Sequence, residues 1–160
     1  MSVLVGIGYD SHPFADGRRL VLGGVEIPHD RGLAGHSDAD VLTHAVIDAL
    51  LGAASLGDIG EHFPDADERH RDADSLELLR RVVELLTSMG LAVGNVDATV
   101  IVEAPRIAPH RERMRASLAD GLGVEPARVS VKATTAEGMG FIGRGEGAAA
   151  LAVATVEAEA

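Results

Sequence analysis

Asp10 and His12 stand two residues apart at the end of a segment in which Val3, Val5, Ile7 and Tyr9 alternate with other residues. That period of two predicts a strand with one face buried, and Asp10 and His12 are expected to continue the same phase. An Asp-x-His pair on extended backbone aims a carboxylate and an imidazole at one point, and His44 offers a third donor. Two imidazoles and one carboxylate suit a catalytic Zn²⁺ whose fourth position stays open. Asp40, His44 and Asp48 lie four apart on a predicted helix, so Asp40 or Asp48 could orient His44 from behind. The plainer alternative is a capped strand end beside a solvated helix face.

Two further groups could meet an anion. His36 and Ser37 precede the predicted helix, where free N–H groups and the dipole favour a phosphate; Ser37 or Asp38 could equally serve only as the helix cap. Ala133-Thr134-Thr135-Ala136-Glu137 follows a predicted strand and runs into a stretch with glycine at 138, 140, 143, 145 and 147. Glycines there let backbone N–H groups approach a ligand, and Glu137 could hold a hard cation such as Mg²⁺. Without Walker spacing this also reads as a turn-rich connection with a surface glutamate.

These residues need elements to place them. A helix is expected to begin near Ser37-Asp38 and end near Leu56-Gly57, with Val41, Ala45, Ala49 and Ala53 along one buried row. Arg19 to Ile27 reads as one or two short strands broken at Gly23-Gly24, and residues 57–74 as a mobile surface loop. Asp74 and Glu77 have capping-box spacing before a helix with Leu76, Leu79, Val83 and Leu86 inward, stopped by Gly90. Strands follow at Val96–Val102 and Val129–Ala133, with a helix from Pro109 to Leu122 between them and a last strand near Ala149–Val156. No linker or repeat divides the chain, so residues 1–160 are expected to form one α+β domain, a mixed or antiparallel sheet layered against helices.

Composition narrows the chemistry. At 160 residues the chain can bury roughly 68–70% of its unfolded surface in one core. With three Phe, one Tyr and no Trp, that core must be aliphatic and rich in alanine, and base stacking on nucleic acid is disfavoured. A formal charge of −11 would repel a polyphosphate backbone, so an anionic ligand calls for metal ions or oriented N–H groups. The absence of cysteine excludes disulfides and thiolate chemistry. No apolar run approaches the ~20 residues of a membrane span, and the N-terminal residues lack signal-peptide character, so a cytoplasmic protein is expected.

In order, Asp10-Ser11-His12, His36-Ser37-Asp38-Ala39-Asp40, Asp58-Ile59-Gly60, Phe63-Pro64-Asp65 and Lys132-Ala133-Thr134-Thr135-x-Glu137 resemble the 2-C-methyl-D-erythritol 2,4-cyclodiphosphate synthase family. The likeness runs from Gly8 to Gly147, and the length is that expected of the stand-alone form. The resemblance implies Zn²⁺ on Asp10, His12 and His44, with Mg²⁺ or Mn²⁺ on Glu137. It implies catalytic roles for His36, Ser37, Asp65, Thr135 and Glu137, the first two at the diphosphate end of the substrate. Asp58 and Gly60 would lie at the methylerythritol or ribose end, with Phe63 beside them. Ala104, Arg106, Ile107, Ala108, Ala133, Thr134 and Thr135 would surround cytosine and the CMP phosphate, largely through backbone atoms.

The resemblance further implies a homotrimer on a threefold axis with active sites between subunits. Phe141 and Arg144 would be ligand contacts, the latter with Glu146 at a central cavity able to take an isoprenoid diphosphate. Tyr9 and Gly138-Met139 depart from the family's usual choices. The implied reaction is attack of a 2-phosphate on the β-phosphorus of the same molecule's cytidyl diphosphate, releasing CMP, in the non-mevalonate isoprenoid pathway. Two other readings use the same residues: a Zn²⁺ hydrolase that delivers water, and a trimeric metal-stabilised binding protein.

Overall fold

The computed structural model describes residues 2–158. The first strand, β1 (Ser2–Ala15), keeps the expected alternation, but its faces are the reverse of the hydrophobic expectation. Val3, Val5, Ile7 and Tyr9 are 52–71% exposed, whereas Gly6 and Gly8 are buried. Asp10 and His12 share a face with the glycines; even-numbered like Gly6 and Gly8, they are out of phase with Val3, Val5, Ile7 and Tyr9, so the expectation that they continue that phase miscounts the alternation. What buries the glycine face is a helix lying directly on it. A Cβ on Gly8 would overlap the carbonyl of Ala45, and one on Gly6 the carbonyl of Ala49. Smallness, rather than hydrophobicity, marks the inner side of this strand.

Two short strands, β2 (Leu20–Leu22) and β3 (Val25–Ile27), form a hairpin whose turn glycines, Gly23 and Gly24, both have positive φ. β4 (Gly32–Leu33) then pairs with the end of β1. The helix above the glycines is α1 (Val41–Ala53), which starts later than predicted. Its cap is Asp40, whose carboxylate accepts from Thr43 N (3.0 Å) and also from Gly23 N (2.9 Å) and Gly24 N (2.8 Å). The cap thus ties the helix to a hairpin distant in sequence, which local spacing could not reveal. Except at Asp48 and Gly52, α1 is buried on every side.

The expected loop after α1 contains α2 (Ile59–His62) and a 3₁₀ turn at Glu68–His70. Asp48 Oδ1 accepts from Ile59 N at 2.8 Å, and Asp72 N donates to His36 O at 2.8 Å, so the segment is tied down at both ends. α3 (Ser75–Ser88) is capped by Asp74 as predicted, although Glu77 pairs with Arg80 rather than completing the box. β5 (Leu91–Ile101), α4 (Arg111–Leu122), β6 (Val129–Thr134), α5 (Gly140–Gly143) and β7 (Gly147–Ala158) complete the chain. Pro109 lies in a 3₁₀ turn preceding α4 rather than in the helix itself.

The five-stranded sheet has the order β4-β1-β7-β5-β6 and is mixed, as expected: β5 and β6 run parallel and every other pair antiparallel. Ala148, Ala150, Ala152 and Ala154 of β7 line its inner face, leaving room for α1 to sit close. α3 and α4 pack beside it, against β5 and β6, so the aliphatic core lies between the sheet and these three helices.

Candidate active site

The close seating of α1 on Gly6 and Gly8 decides where the chemistry lies, because it carries His44 down onto the continuation of β1. Asp10 Oδ2 is 3.0 Å from His12 Nε2 and 3.0 Å from His44 Nδ1. One donor atom from each residue lies within 4.8 Å of the other two. Four-coordinate Zn²⁺ with bonds near 2.0–2.1 Å spaces its ligand atoms by about 3.3 Å, so the set suits that ion in number, type and spacing. The ring of His12 is already presented correctly. Its Nδ1 donates to the carbonyl of Ala34 at 2.9 Å, which leaves Nε2, the nitrogen beside Asp10, as the one that would bind a cation.

Burial alone would push the Asp10 carboxyl up, but hydrogen bonds from His12 and His44 outweigh it and hold the group at about 2. Burial pushes His12 down, but its bond to Asp10, the charges of Asp10 and Asp65 and the bond to Ala34 together more than reverse this, so His12 titrates above its ordinary value. Neither predicted orienter hydrogen-bonds the ring of His44; Asp40 meets only its backbone N–H. Asp40 is committed to the hairpin and Thr43, and Asp48 to Ile59. The partners of His44 Nε2 are instead Ser75 Oγ at 2.8 Å and Ser37 Oγ at 3.1 Å.

These residues open into a cavity of about 480 Å³. Asp10, His12 and His44 meet His36, Ser37, Gly60, Phe63 and Asp65 on its wall, so four separate sequence motifs converge. Gly35, His70 and Leu78, which the sequence did not single out, complete it with Ile59 and Pro64. His36 Nε2 donates to Asp67 O at 3.1 Å, and Phe63 meets the ring of His70 edge-on at 5.3 Å. Asp58 does not line the cavity; its carboxylate caps α2 by accepting from Glu61 N at 3.0 Å.

A second pocket, about 190 Å³, lies where the parallel pair β5–β6 ends. Arg106, Ile107, Ala108, Ala133, Thr134 and Thr135 line it together, while Ala104 does not. Glu103 fixes the loop beyond β6 by accepting from Ala136 N at 2.7 Å, a role no motif signalled. Glu137 is exposed with φ of 53° and lines neither cavity, its N–H donating to Thr135 Oγ1 at 3.1 Å. Phe141 lies elsewhere, with His12 and Glu146 in a cavity of about 240 Å³, and Arg144 is exposed and paired with Glu146 at 2.7 Å. β1 and β6 are three strands' spacing apart, about 14 Å, so one chain does not bring Glu137 and Thr135 to Asp10.

Residues 3–157 match the YgbB family. The chain belongs to that family. Among YgbB-family relatives, it is 60% identical over 153 residues to the 2-C-methyl-D-erythritol 2,4-cyclodiphosphate synthase of Salinibacter ruber, covering 96% of this chain and 98% of the relative. It is 62% identical over 156 residues to the synthase of the same name from Thioalkalivibrio sulfidiphilus, covering 98% of each. Among solved structures, a synthase in a CDP-bound form superimposes with a TM-score of 0.88 at 35% identity, over 96% of this chain and 99% of that one. The bifunctional IspDF of Campylobacter jejuni superimposes with a TM-score of 0.95 at 40% identity; the match covers 99% of this chain and 43% of that larger one.

Proposed function

We propose that this YgbB-family chain is a phosphorus–oxygen lyase that converts 4-diphosphocytidyl-2-C-methyl-D-erythritol 2-phosphate into the 2,4-cyclodiphosphate and CMP, in the non-mevalonate isoprenoid pathway. The observation that carries this reading is the convergence of Asp10, His12 and His44 beside His36 and Ser37 in one cavity. The former set suits a cation, and the latter offers donors to an anion. Asp10, His12 and His44 would hold Zn²⁺, while Glu137, a lone exposed carboxylate, suits Mg²⁺ or Mn²⁺ shared with substrate phosphates. Bound there, the cations supply the positive charge that a chain of net charge −11 lacks for a diphosphate.

The residues of the chain position the two ends of one molecule. His36 and Ser37 hold the diphosphate, Gly60 and the α2 turn that Asp58 caps lie at the methylerythritol or ribose end, and Phe63 and Asp65 cover the cleft beside them. Arg106, Ile107, Ala108 and Ala133, with Ala104, enclose the cytidine, and Thr134 and Thr135 hold the CMP phosphate. An oxygen of the 2-phosphate forms the new P–O bond to the β-phosphorus as the bridging P–O bond to CMP breaks, and CMP leaves with that electron pair. No residue need act as base, because a phosphate monoester with a second pKa near ~6 is already largely dianionic at neutral pH. Holding the ends together supplies the effective molarity of an intramolecular reaction.

The second pocket and Glu137 must then reach the cleft from a neighbouring subunit. The exposed row Val5, Ile7 and Tyr9, with Leu151 and Val153 on the adjacent strand, supports that assembly, a homotrimer around a threefold axis. Phe141 and Arg144 would then face the shared axis, where an isoprenoid diphosphate could bind. Among the described residues no helix is long and apolar enough to cross a membrane, and we assign the protein to the cytoplasm.

Phosphorus NMR of the protein with Zn²⁺, Mg²⁺ and the cytidyl substrate tests the reading. Coupled cyclic diphosphate signals with CMP are expected, strongly reduced for Glu137→Ala. Linear phosphates would identify a hydrolase, and unchanged substrate a binding protein.

A further inference from the structure

Behind His44 runs a chain of hydrogen bonds that none of the assigned roles uses. Ser75, fully buried at the start of α3, places its Oγ 2.8 Å from His44 Nε2 and, on its other side, against the carboxylate of Asp38. That carboxylate already receives Ser75 N at 3.0 Å and Asp40 N at 3.1 Å, both of which can only donate. A carboxylate accepts, so the single hydroxyl proton of Ser75 is committed to Asp38. Toward His44, Ser75 can therefore only accept. It follows that Nε2 of His44 keeps a proton, which leaves Nδ1, 3.0 Å from Asp10 Oδ2, as the nitrogen whose proton a bound cation would displace.

The same constraint reaches Ser37. Its Oγ lies 3.1 Å from the protonated Nε2 and 3.2 Å from Ala39 N, two donors that use both of its lone pairs. Its own hydroxyl proton is left to point into the cavity that Ser37 lines.

We propose that Asp38 and Ser75 are positioning residues that set the direction of this chain, fixing His44 as an Nδ1 metal ligand and turning Ser37 into a donor toward a bound anion. The proposal rests on the reading of Asp10, His12 and His44 as a metal site. The plain alternative is that Asp38 and Ser75 only staple the start of α3 to the segment before α1. The two are separable, because Ser75→Ala keeps the backbone N–H that Asp38 holds and removes only the hydroxyl.

The test is competition for Zn²⁺ against a chromophoric chelator, combined with the unfolding temperature of each zinc-free protein and proton–nitrogen NMR of the zinc-loaded form. Ser75→Ala is expected to bind Zn²⁺ about 10–100-fold more weakly with its zinc-free unfolding temperature little changed. Asp38→Asn, which cannot accept every bond the carboxylate accepts, should weaken binding in the same range and serves if Ser75→Ala fails to fold. In the wild-type spectrum, the Nε2 proton of His44 should be present and protected from exchange, and in Ser75→Ala it should exchange faster. A spectrum with the proton on Nδ1 and the metal on Nε2 would overturn the proposal, as would two folded variants that bind Zn²⁺ within twofold of wild type. Failure of the underlying metal reading is distinct: it appears as a wild-type protein that takes up no Zn²⁺.

Discussion

Asp10 lies between two imidazoles, and the coupling has a measurable cost in acid. Its carboxyl is held near 2 against an ordinary 3.8, so the ionised form contributes stability that is fully present above pH 3.8 and lost as the pH falls toward 2. The shift corresponds to about 2 kcal/mol at most, and urea unfolding of the zinc-free protein at pH 5 and 2.5 should show a larger acid loss for wild type than for Asp10→Asn. The partner effect on His12 has the opposite sign. Because its proton is held more tightly than usual and must leave before the nitrogen can bind a cation, apparent zinc affinity should rise with pH through the His12 titration, as read by chelator competition at several pH values. Asp10→Asn and His44→Ala should each abolish zinc binding and turnover while the protein stays folded, checked by zinc analysis and circular dichroism. The trio itself was legible in the sequence, because an x-spaced Asp and His on a strand can point only one way. Ser75 was not: a serine opening a helix reads as local capping, and its link to His44 crosses 31 residues.

At the level of elements, the site depends on how closely α1 approaches β1, and Gly6 and Gly8 set that distance. Gly8→Ala should force strand and helix apart at Ala45, one residue from His44. A destabilisation of roughly 1–3 kcal/mol is expected from overpacking alone, together with weaker zinc binding, measured by thermal unfolding and zinc titration. An alanine at the exposed Gly90, where nothing lies within 4 Å, lacks that steric conflict, although its φ of 75° still carries backbone strain. The strand period was readable in Val3, Val5, Ile7 and Tyr9, but the choice of face was not, since hydrophobicity marks burial without saying against what. The start of α1 was placed early for a related reason. Ser37, Asp38 and Asp40 all have capping side chains, and only the hairpin glycines that share the Asp40 carboxylate settle which one caps.

For the whole molecule, the outward face of β1 and β7 is the feature a lone chain leaves unexplained. Ile7 stands opposite Val153 and Tyr9 opposite Leu151, giving an apolar strip across two strands. On the proposed trimer, Ile7→Asp should yield smaller species in sedimentation, keep zinc binding at Asp10, His12 and His44, which one chain brings together, and lose the cyclisation proposed to draw on a neighbour's second pocket and Glu137. Retained turnover by a monomer would place both halves of the site in one chain. The strand order has a further effect on how the protein comes into being. β7 emerges from the ribosome after every other strand, yet it occupies the middle of the sheet, between β1 and β5. Until it arrives, β1 with β4 and β5 with β6 have no common edge, although Asp10, His12 and His44 have all been synthesised by residue 44. A nascent chain thus holds the three side chains of the candidate metal site long before it owns the strand that locks them in place, and its open edges are most exposed to mispairing just before synthesis ends.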